Sequence, residues 1–189
     1  SLDLKTNSYV VDSKDRIISV GSEWDAFAIE NDAPGATSTH VLGREIWDFV
    51  EGANTRTYLF GVFQACRIEQ QLFSILYRCD GPDVRRLYRL TIWPSPDDSL
   101  TIGSMLVHAI TSPPHPTVSA FEEYYDTTRC SVCCAFQIGD KWIDLRTPPD
   151  ADNFAKSYSI CPTCKDAAQV EFARMKRKSN IIPLPRAKQ

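Results

Sequence analysis

Residues 130–133 read Cys-Ser-Val-Cys, and residues 161–164 read Cys-Pro-Thr-Cys. Two Cys-x2-Cys pairs joined by a short segment can place four thiolates at the corners of a tetrahedron, because each pair forms a tight turn whose two sulfurs bind one ion. Two pairs are a far more specific signal than one. They predict a metal site, and the predicted ligands are Cys130, Cys133, Cys161 and Cys164.

Zinc is the metal that this ligand set favours. Four thiolates complete a tetrahedral coordination sphere and leave no position for a reactive water, so a structural site is expected rather than a catalytic one. Iron in a rubredoxin-like site is the alternative. It is disfavoured because rubredoxins typically place glycine after the second cysteine of each pair, where this chain has Cys134 and Lys165. Cys134 is either a spare thiol or a competitor for the metal.

The segment between the two pairs predicts a small β-hairpin. Short apolar stretches at 135–138 and 141–145 flank Gly139-Asp140, and a type II′ turn requires glycine in its first central position. A hairpin beside one pair, followed by a return to the second, resembles a zinc ribbon or a treble-clef-like fragment. So small a unit buries little apolar surface, and structural zinc contributes on the order of 10 kcal/mol to the folding of such peptides.

The composition is that of a globular protein in water. The chain has 189 residues, of which 43% are hydrophobic and 24% charged, and its formal net charge is −3. No apolar run approaches the roughly 20 residues that span a bilayer, and no signal-peptide pattern opens the chain. Seven cysteines cannot all pair with one another, and metal-bound thiolates fit a reducing compartment. We therefore expect a cytoplasmic protein with no membrane partner.

The first part of the chain predicts strands and helices in a definite order. Strands are predicted at 9–11, 16–20, 72–79, 84–93 and 100–110 from β-branched residues and period-2 alternation. Short helices are expected between residues 22 and 50. The longest helix is predicted to begin at an N-cap, Asn54, because Tyr58, Val62 and Cys66 follow at the i, i+4, i+8 spacing of one helical face.

This order of elements resembles a PAS domain, the five-stranded sensory module of bacterial signalling proteins. One segment is similar to the segment that enters the helical side of many PAS domains: Val41-Leu42-Gly43-Arg44-Glu45-Ile46-Trp47. Residues 78–86 resemble a phrase found in short bacterial PAS proteins, some of which also carry a terminal segment of the form CSxC…W…ICPxC. Here that segment comprises residues 130–133, Trp142 and residues 160–164.

The predicted fold class is therefore α+β: a PAS-like five-stranded antiparallel sheet with flanking helices, followed by a small zinc-ribbon-like module. Residues 6–111 are assigned to the PAS-like sensory domain. Residues 112–128 are assigned to a proline-containing linker and a short helix, residues 129–178 to the zinc-binding module with its basic helix, and residues 179–189 to a flexible tail.

The resemblance implies a ligand cavity between the sheet and the long helix. The candidate lining residues are Tyr58, Phe63, Cys66, Tyr77, Tyr88 and His108. The alternative is a packed core without a ligand, because aromatic residues at these spacings commonly fill cores. Haem is disfavoured because the long helix, the usual source of a PAS haem histidine, has none. Flavin is disfavoured because the short helical region lacks the cysteine that a photoreactive flavin requires.

No pattern of catalytic residues is present. The chain has no nucleophile elbow, no phosphate-binding glycine loop and no HExxH motif. We therefore expect a non-enzymatic signal-transduction or adaptor protein. Its PAS-like domain would sense a ligand or a protein partner, and its zinc module would extend the interaction surface. A second copy of the chain is a further candidate partner, because PAS domains commonly dimerise.

Two alternative functions stay open. Basic residues at 174 and 176–178 follow the second cysteine pair on a predicted helix, and a zinc module with a basic helix can bind nucleic acid through phosphate contacts. A solvated helix end is the competing interpretation, because positive charge is favourable at a helix C-terminus. The third hypothesis is a thiol-based redox or metal sensor centred on the cysteine cluster. A redox role would require an exposed thiolate of low pKa.

Overall fold

The computed structural model describes residues 6–30, 33–81, 83–111, 127–145 and 155–179, and the structural statements below concern these residues. They form an α+β fold with two sheets, of five and four strands. Within these ranges, no helix combines the length and the apolar character that a membrane span needs.

The larger sheet is built from the first part of the chain. Its strands are β1 (Thr6–Val11), β2 (Ile17–Val20), β3 (Phe73–Arg78), β4 (Val84–Pro94) and β5 (Leu100–Thr111). Neighbouring strands are antiparallel, and their order across the sheet is β2-β1-β5-β4-β3. The predicted five-stranded antiparallel sheet is confirmed, with strand ends that differ from the predictions by a few residues at most.

Short helices and one helix of 17 residues connect the strands of the large sheet, and a helix of 18 residues ends the described part of the chain. The helix that was predicted to be the longest is therefore one residue shorter than the last one. The described helices are α1 (Trp24–Glu30), α2 (Ser38–Val41), α3 (Ala53–Glu69) and α4 (Pro162–Ser179), and 3-10 turns lie at Pro34–Ala36 and Ile46–Phe49. The predicted N-cap of α3 is wrong, because Gly52 holds that position and Asn54 is the second helical residue. Glycine is required at 52, where φ is +82° and any side chain would collide with the carbonyl group of Tyr158.

One hydrophobic core lies between the large sheet and α3. Its largest fully buried members are Phe63, Phe73, Ile17, Ile92, Leu100, Val11, Val41 and Val62, and Met175 of α4 is among them. Phe172 of α4 also packs on Phe73, with ring centroids 5.6 Å apart. The helix that follows the second cysteine pair therefore completes the core of the large sheet.

Helix α4 also covers the edge of this sheet that β3 forms. The Glu171 carboxylate accepts a hydrogen bond from the Ser74 amide at 3.0 Å, and the Arg174 guanidinium donates to the Leu72 carbonyl at 2.7 Å. Glu171 and Arg174 also pair with each other at 2.7 Å. These contacts satisfy backbone groups that an edge strand otherwise leaves to solvent.

The smaller sheet surrounds the cysteine pairs. Its strands are β6 (Thr127–Cys130), β7 (Phe136–Ile138), β8 (Lys141–Ile143) and β9 (Ala155–Ser159), in the order β8-β7-β6-β9. The predicted hairpin is confirmed between β7 and β8, where Ile138 pairs with Lys141 and Gly139 has a φ of 62°. Strand β9 pairs with β6 in parallel.

The short helix predicted to end at residue 128 is wrong in its last two residues. Thr127 and Thr128 begin β6, where their β-branched side chains suit a strand that has partners on both sides. The rest of that helix, the proline-containing linker and residues 180–189 of the predicted tail lie outside the described residues.

Candidate metal centre

The four predicted ligands lie together. Their sulfur atoms are all within 4.8 Å of one another, and those of Cys133 and Cys161 are 3.7 Å apart. A disulfide would bring two sulfurs to about 2.05 Å. Sulfurs on two corners of a zinc tetrahedron, with bonds of about 2.3 Å, lie about 3.8 Å apart. The observed spacing therefore fits four ligands that share one ion, and these cysteines could hold a metal such as zinc.

The first pair lies on a tight turn at the end of β6, which we call the cysteine loop (residues 130–134). The Cys134 amide donates to the Cys130 carbonyl at 3.0 Å, and the Cys130 amide donates to the Ala135 carbonyl at 2.8 Å. Cys134 has a φ of 62°, a left-handed conformation that is uncommon outside glycine. These features reverse the chain within a few residues, so that Cys133 comes back to Cys130.

The second pair opens helix α4. Cys161 precedes the first helical residue, Pro162, whose missing amide costs no hydrogen bond at that position. Cys164 lies in the first turn, where the positive end of the helix dipole favours a thiolate. The Cys161 amide donates to the Cys130 sulfur at 3.3 Å, which joins the second pair to the first.

The thiols of Cys130, Cys133 and Cys164 do not ionise independently. The pKa of Cys130 is lowered because its sulfur accepts hydrogen bonds from the thiols of Cys133 and Cys164. The bond to Cys130 raises the pKa of Cys133 to about 12, and it also raises the pKa of Cys164. One thiolate beside two neighbouring thiols is thus favoured without a cation, and a bound cation would be needed to hold these three as thiolates.

Apolar side chains surround the sulfurs. Ile160 is fully buried beside the cysteines, and Tyr58, Val132 and Trp142 pack around the same cluster. Such a shell keeps water from the thiolates, and this favours a closed structural site over one with an open coordination position.

The cysteine loop docks on the edge strand β3. The Arg78 amide donates to the Val132 carbonyl at 2.7 Å, and the Cys134 thiol donates to the Arg78 carbonyl at 3.3 Å. Cys134 is only 7% exposed, and burial raises its pKa. Its sulfur is not among the four that cluster, so Cys134 serves packing and hydrogen bonding at the sheet edge.

The start of α3 supports the other side of the loop. The hydroxyl oxygens of Thr55 and Ser131 are 2.7 Å apart, and the Asn54 amide group donates to the Ser159 hydroxyl at 3.0 Å. The side chain that was predicted to cap the helix therefore links α3 to β9 instead.

Charged groups tie the β3–β4 hairpin to the smaller sheet. Arg78 pairs with Asp80 and, at 2.9 Å, with Asp144, which also pairs with Arg85 at 3.3 Å. Burial tends to lower the pKa of the Arg78 guanidinium. The hydrogen bonds to these two carboxylates have the larger effect, so the pKa is raised.

A cavity of about 750 Å³ lies between the large sheet, α3 and the cysteine loop. Two of the six residues predicted to bind a ligand, Tyr58 and Tyr77, line it. The sequence did not indicate the third wall, which residues 129–132 supply together with Cys134 and Ile160. That wall forms because the cysteine loop packs against residues far away in the sequence. Local sequence patterns do not predict such packing.

The other four predicted residues lie elsewhere. Phe63 and Cys66 are fully buried in the core, and burial raises the pKa of Cys66 to about 12. Tyr88 stacks on Tyr77 with centroids 5.4 Å apart and lines a separate cavity of about 150 Å³. His108 is exposed near the end of β5.

A β-bulge changes the face of the sheet on which His108 lies, and residues 107–111 at this end of β5 are all exposed. Simple alternation would place it on the same face as Leu106. The pairing shifts, however, because Leu87 faces His108 while the next residue, Tyr88, faces Leu106. Val107 is thus an extra residue that interrupts the alternation of β5.

Comparison with protein-family models gave no match, and none of the curated proteins searched is significantly similar to the chain. The function is therefore argued below from the geometry and chemistry of these sites.

Proposed function

We propose that the protein is a small sensory or adaptor protein of signal transduction. In this proposal, a PAS-like domain receives a ligand or a protein partner, and a structural zinc ion holds the C-terminal module against it. The observation that carries the proposal is the cavity of about 750 Å³, whose walls come from the large sheet, from α3 and from the cysteine loop. A ligand in this position would contact both parts of the molecule.

The PAS-like assignment is supported by the order of the elements. Two strands, short helices, one long helix and three further strands form a single five-stranded antiparallel sheet. The cavity lies between this sheet and the long helix, which is where the resemblance implies that a ligand binds.

The zinc assignment is supported by the spacing of the four sulfurs and by their apolar surroundings. The second cysteine pair opens an 18-residue helix, and a hairpin follows the first pair. A cysteine pair in the first turn of a helix favours a treble-clef-like arrangement over a zinc ribbon. With all four positions taken by thiolates, the role of the ion would be structural.

The two alternative functions have weaker support. Arg174, one of the basic residues predicted to contact nucleic acid, instead holds Leu72 and Glu171. Lys176, Arg177 and Lys178 occupy the last turn of α4, where the helix dipole favours positive charge. A redox role for Cys134 is disfavoured by its burial and its raised pKa.

Elemental analysis of untagged protein, together with its visible spectrum, tests the zinc assignment. We expect about one zinc per chain and a colourless solution, whereas stoichiometric iron with visible absorption would overturn the assignment. Native mass spectrometry of the purified protein tests the sensory part. The expected result is an added small-molecule mass that is lost on denaturation. If the only added mass is that of zinc under every growth condition tested, the ligand-binding role is contradicted.

A further inference from the structure

We infer that the metal centre and the cavity are coupled, so that zinc and a small, uncharged, largely apolar ligand strengthen each other's binding. The inference rests on the proposed function. It adds the chemical class of the ligand and a way in which metal occupancy regulates its binding.

The lining defines the ligand class. Leu59, Ile75, Leu90 and Ile102 supply apolar surface from α3 and the sheet, and Ser104 adds a hydroxyl group. The volume of about 750 Å³ falls within the range of about 300–1,000 Å³ that is typical of small-molecule sites. An apolar ligand of ordinary metabolite size matches both the volume and the lining.

The charges around the cavity argue against a charged ligand. Arg78 is paired with Asp80 and Asp144, and Asp48 is paired with Arg44 at 3.1 Å. The guanidinium of Arg129, which also lines the cavity, lies over the Phe136 ring at 5.2 Å from its centroid. Glu51, which also lines the cavity, is exposed to solvent. A charged ligand would lose its hydration and would have to compete with these existing pairs, which is costly. The ligand is therefore uncharged.

The metal centre forms part of the wall itself. Cys130 is both a predicted zinc ligand and a lining residue, and Ser131, Val132 and Ile160 beside it line the same cavity. The Cys130 side chain would therefore lie between a bound ion and a bound ligand. Loss of the ion would remove the anchor that fixes the cysteine loop, and the wall of the cavity would lose its shape.

Tyr58 contacts both sites. Its ring packs against the cluster that contains Cys130, Cys161 and Cys164, and it also lines the cavity. Its hydroxyl oxygen is buried and has no hydrogen-bond partner among the residues that the structure describes. A buried hydroxyl without a partner is unfavourable. A ligand in the cavity cannot reach this enclosed oxygen, so Tyr58 links the two sites through its ring.

Coupling of this kind is reciprocal. If zinc raises the affinity for the ligand by some factor, the ligand must raise the affinity for zinc by the same factor. Both directions can be measured, and they have to agree.

The test uses the full zinc-loaded chain and 6-propionyl-2-dimethylaminonaphthalene, an uncharged fluorescent molecule with one ketone acceptor. We expect saturable binding at one site per chain, and at least fivefold weaker binding after zinc is removed with a chelator. Saturating probe should raise the zinc affinity, measured against a competing chelator, by the same factor. A wild-type chain that binds zinc but does not bind the probe would overturn the inference.

Two variants on β4 make the test specific. Leu90→Trp fills the cavity, and Arg89→Trp places the same side chain at an exposed position on the opposite face of the strand. Both should bind one zinc. Leu90→Trp should bind the probe at least tenfold more weakly and abolish its effect on zinc affinity, while Arg89→Trp should match the wild type. If Leu90→Trp keeps wild-type probe affinity, the cavity is not the site and the inference fails.

Tyr58→Phe isolates the hydroxyl group. We expect probe affinity, probe emission and zinc stoichiometry like those of the wild type, because the ring that contacts both sites is retained. Equal probe affinity with and without zinc would overturn the coupling but leave the zinc assignment intact. Absence of zinc from the wild-type protein would instead overturn the proposed function itself.

Discussion

The amide nitrogen of Arg78 lies 2.7 Å from the carbonyl oxygen of Val132. Arg78 is the last residue of the edge strand β3, and Val132 lies between the two cysteines of the first pair. The cysteine loop therefore takes the place of a neighbouring strand at this end of β3, and Glu171 and Arg174 cover the other end. Groups that a sheet edge normally leaves unpaired are satisfied here by the candidate metal module.

Replacing one predicted ligand should remove the metal. Cys161→Ser is expected to lose most of the bound zinc and to unfold the smaller sheet, because structural zinc supplies on the order of 10 kcal/mol to such modules. Elemental analysis and circular dichroism measure both effects. Cys79→Ser is the matched control, since Cys79 is exposed and outside the cluster. A full equivalent of zinc in the Cys161→Ser protein would contradict the assigned ligand set.

Thiol reactivity should single out Cys79 in the zinc-loaded protein. Burial raises the pKa of Cys66 to about 12 and also raises the pKa of Cys134, while Cys79 is exposed. Titration with a disulfide reagent at pH 8 should therefore show about one fast-reacting thiol, which Cys79→Ser removes. The remaining thiols should react only after chelation and denaturation. Two or more fast thiols in the wild-type protein would show that the buried cysteines are accessible.

Arg67→Ala should be strongly destabilising. The guanidinium of Arg67 pairs with Asp15 at 2.7 Å, and both side chains are only 9% exposed. Removing the arginine leaves a buried carboxylate without its counter-ion, which typically costs about 3–5 kcal/mol of unfolding free energy. Arg44→Ala breaks the exposed pair with Asp48 and should cost at most about 1 kcal/mol. Urea unfolding measures the loss of unfolding free energy in both variants. Equal losses would show that the buried ion pair contributes no more to stability than the exposed one.

Glu171→Gln should weaken the docking of α4 in a pH-dependent way. Burial of Glu171 tends to raise its pKa, but hydrogen bonds from Arg174 and the Ser74 amide prevail and lower it below its ordinary 4.5. The charged form therefore stabilises the folded state above pH 4.5, and this contribution is lost as the pH falls through the lowered pKa. We expect the variant to be about 1–2 kcal/mol less stable at pH 7.

Stability measured from pH 7 to pH 3.5 checks this prediction. The difference between the wild type and Glu171→Gln should shrink below pH 4.5, because the carboxyl group of the unfolded chain is protonated first, and it should vanish once the pH falls below the lowered pKa of the folded state. Glu45→Gln, at an exposed position away from α4, serves as the control. A difference that stays constant across the range would show that the Glu171 charge does not contribute.

Gln70→Gly should stabilise the protein. Gln70 ends α3 in the left-handed conformation, with φ 47° and ψ 41°, which costs a residue with a side chain about 1 kcal/mol or more relative to glycine. Loss of the exposed Gln70 bond to the Arg67 carbonyl offsets part of the gain. A net increase of about 0.5 kcal/mol is expected from thermal unfolding. Gln71→Gly, which lacks the positive φ, should give no increase.

The large sheet and the four ligands were predictable because their signals are local. Alternation along a strand such as β4 reports which residues face the core. The Cys-x2-Cys spacing likewise reports a turn that can present two sulfurs to one ion. Neither inference needs knowledge of distant residues. His108 shows the limit of such reasoning, because the one-residue bulge at Val107 is set by the pairing of β5 with β4.

The remaining features depend on contacts between distant residues. Strands β6 and β9 have the short, polar sequences Thr-Thr-Arg-Cys and Ala-Lys-Ser-Tyr-Ser. They pair in parallel although they are far apart in the sequence. The third wall of the cavity likewise exists only because the cysteine loop meets β3. Composition and periodicity do not predict these contacts between distant residues, so they are seen only in the folded structure.

The covered edge of β3 has a consequence for how the protein behaves in solution. The opposite edge strand of the large sheet, β2, has only four residues, so β3 is the longer of the two edges. An uncovered edge strand is a template for pairing with another chain and hence for aggregation. If zinc holds the cysteine loop on β3, removal of the ion would uncover this edge, and we expect zinc-depleted chains to aggregate more readily than zinc-loaded ones.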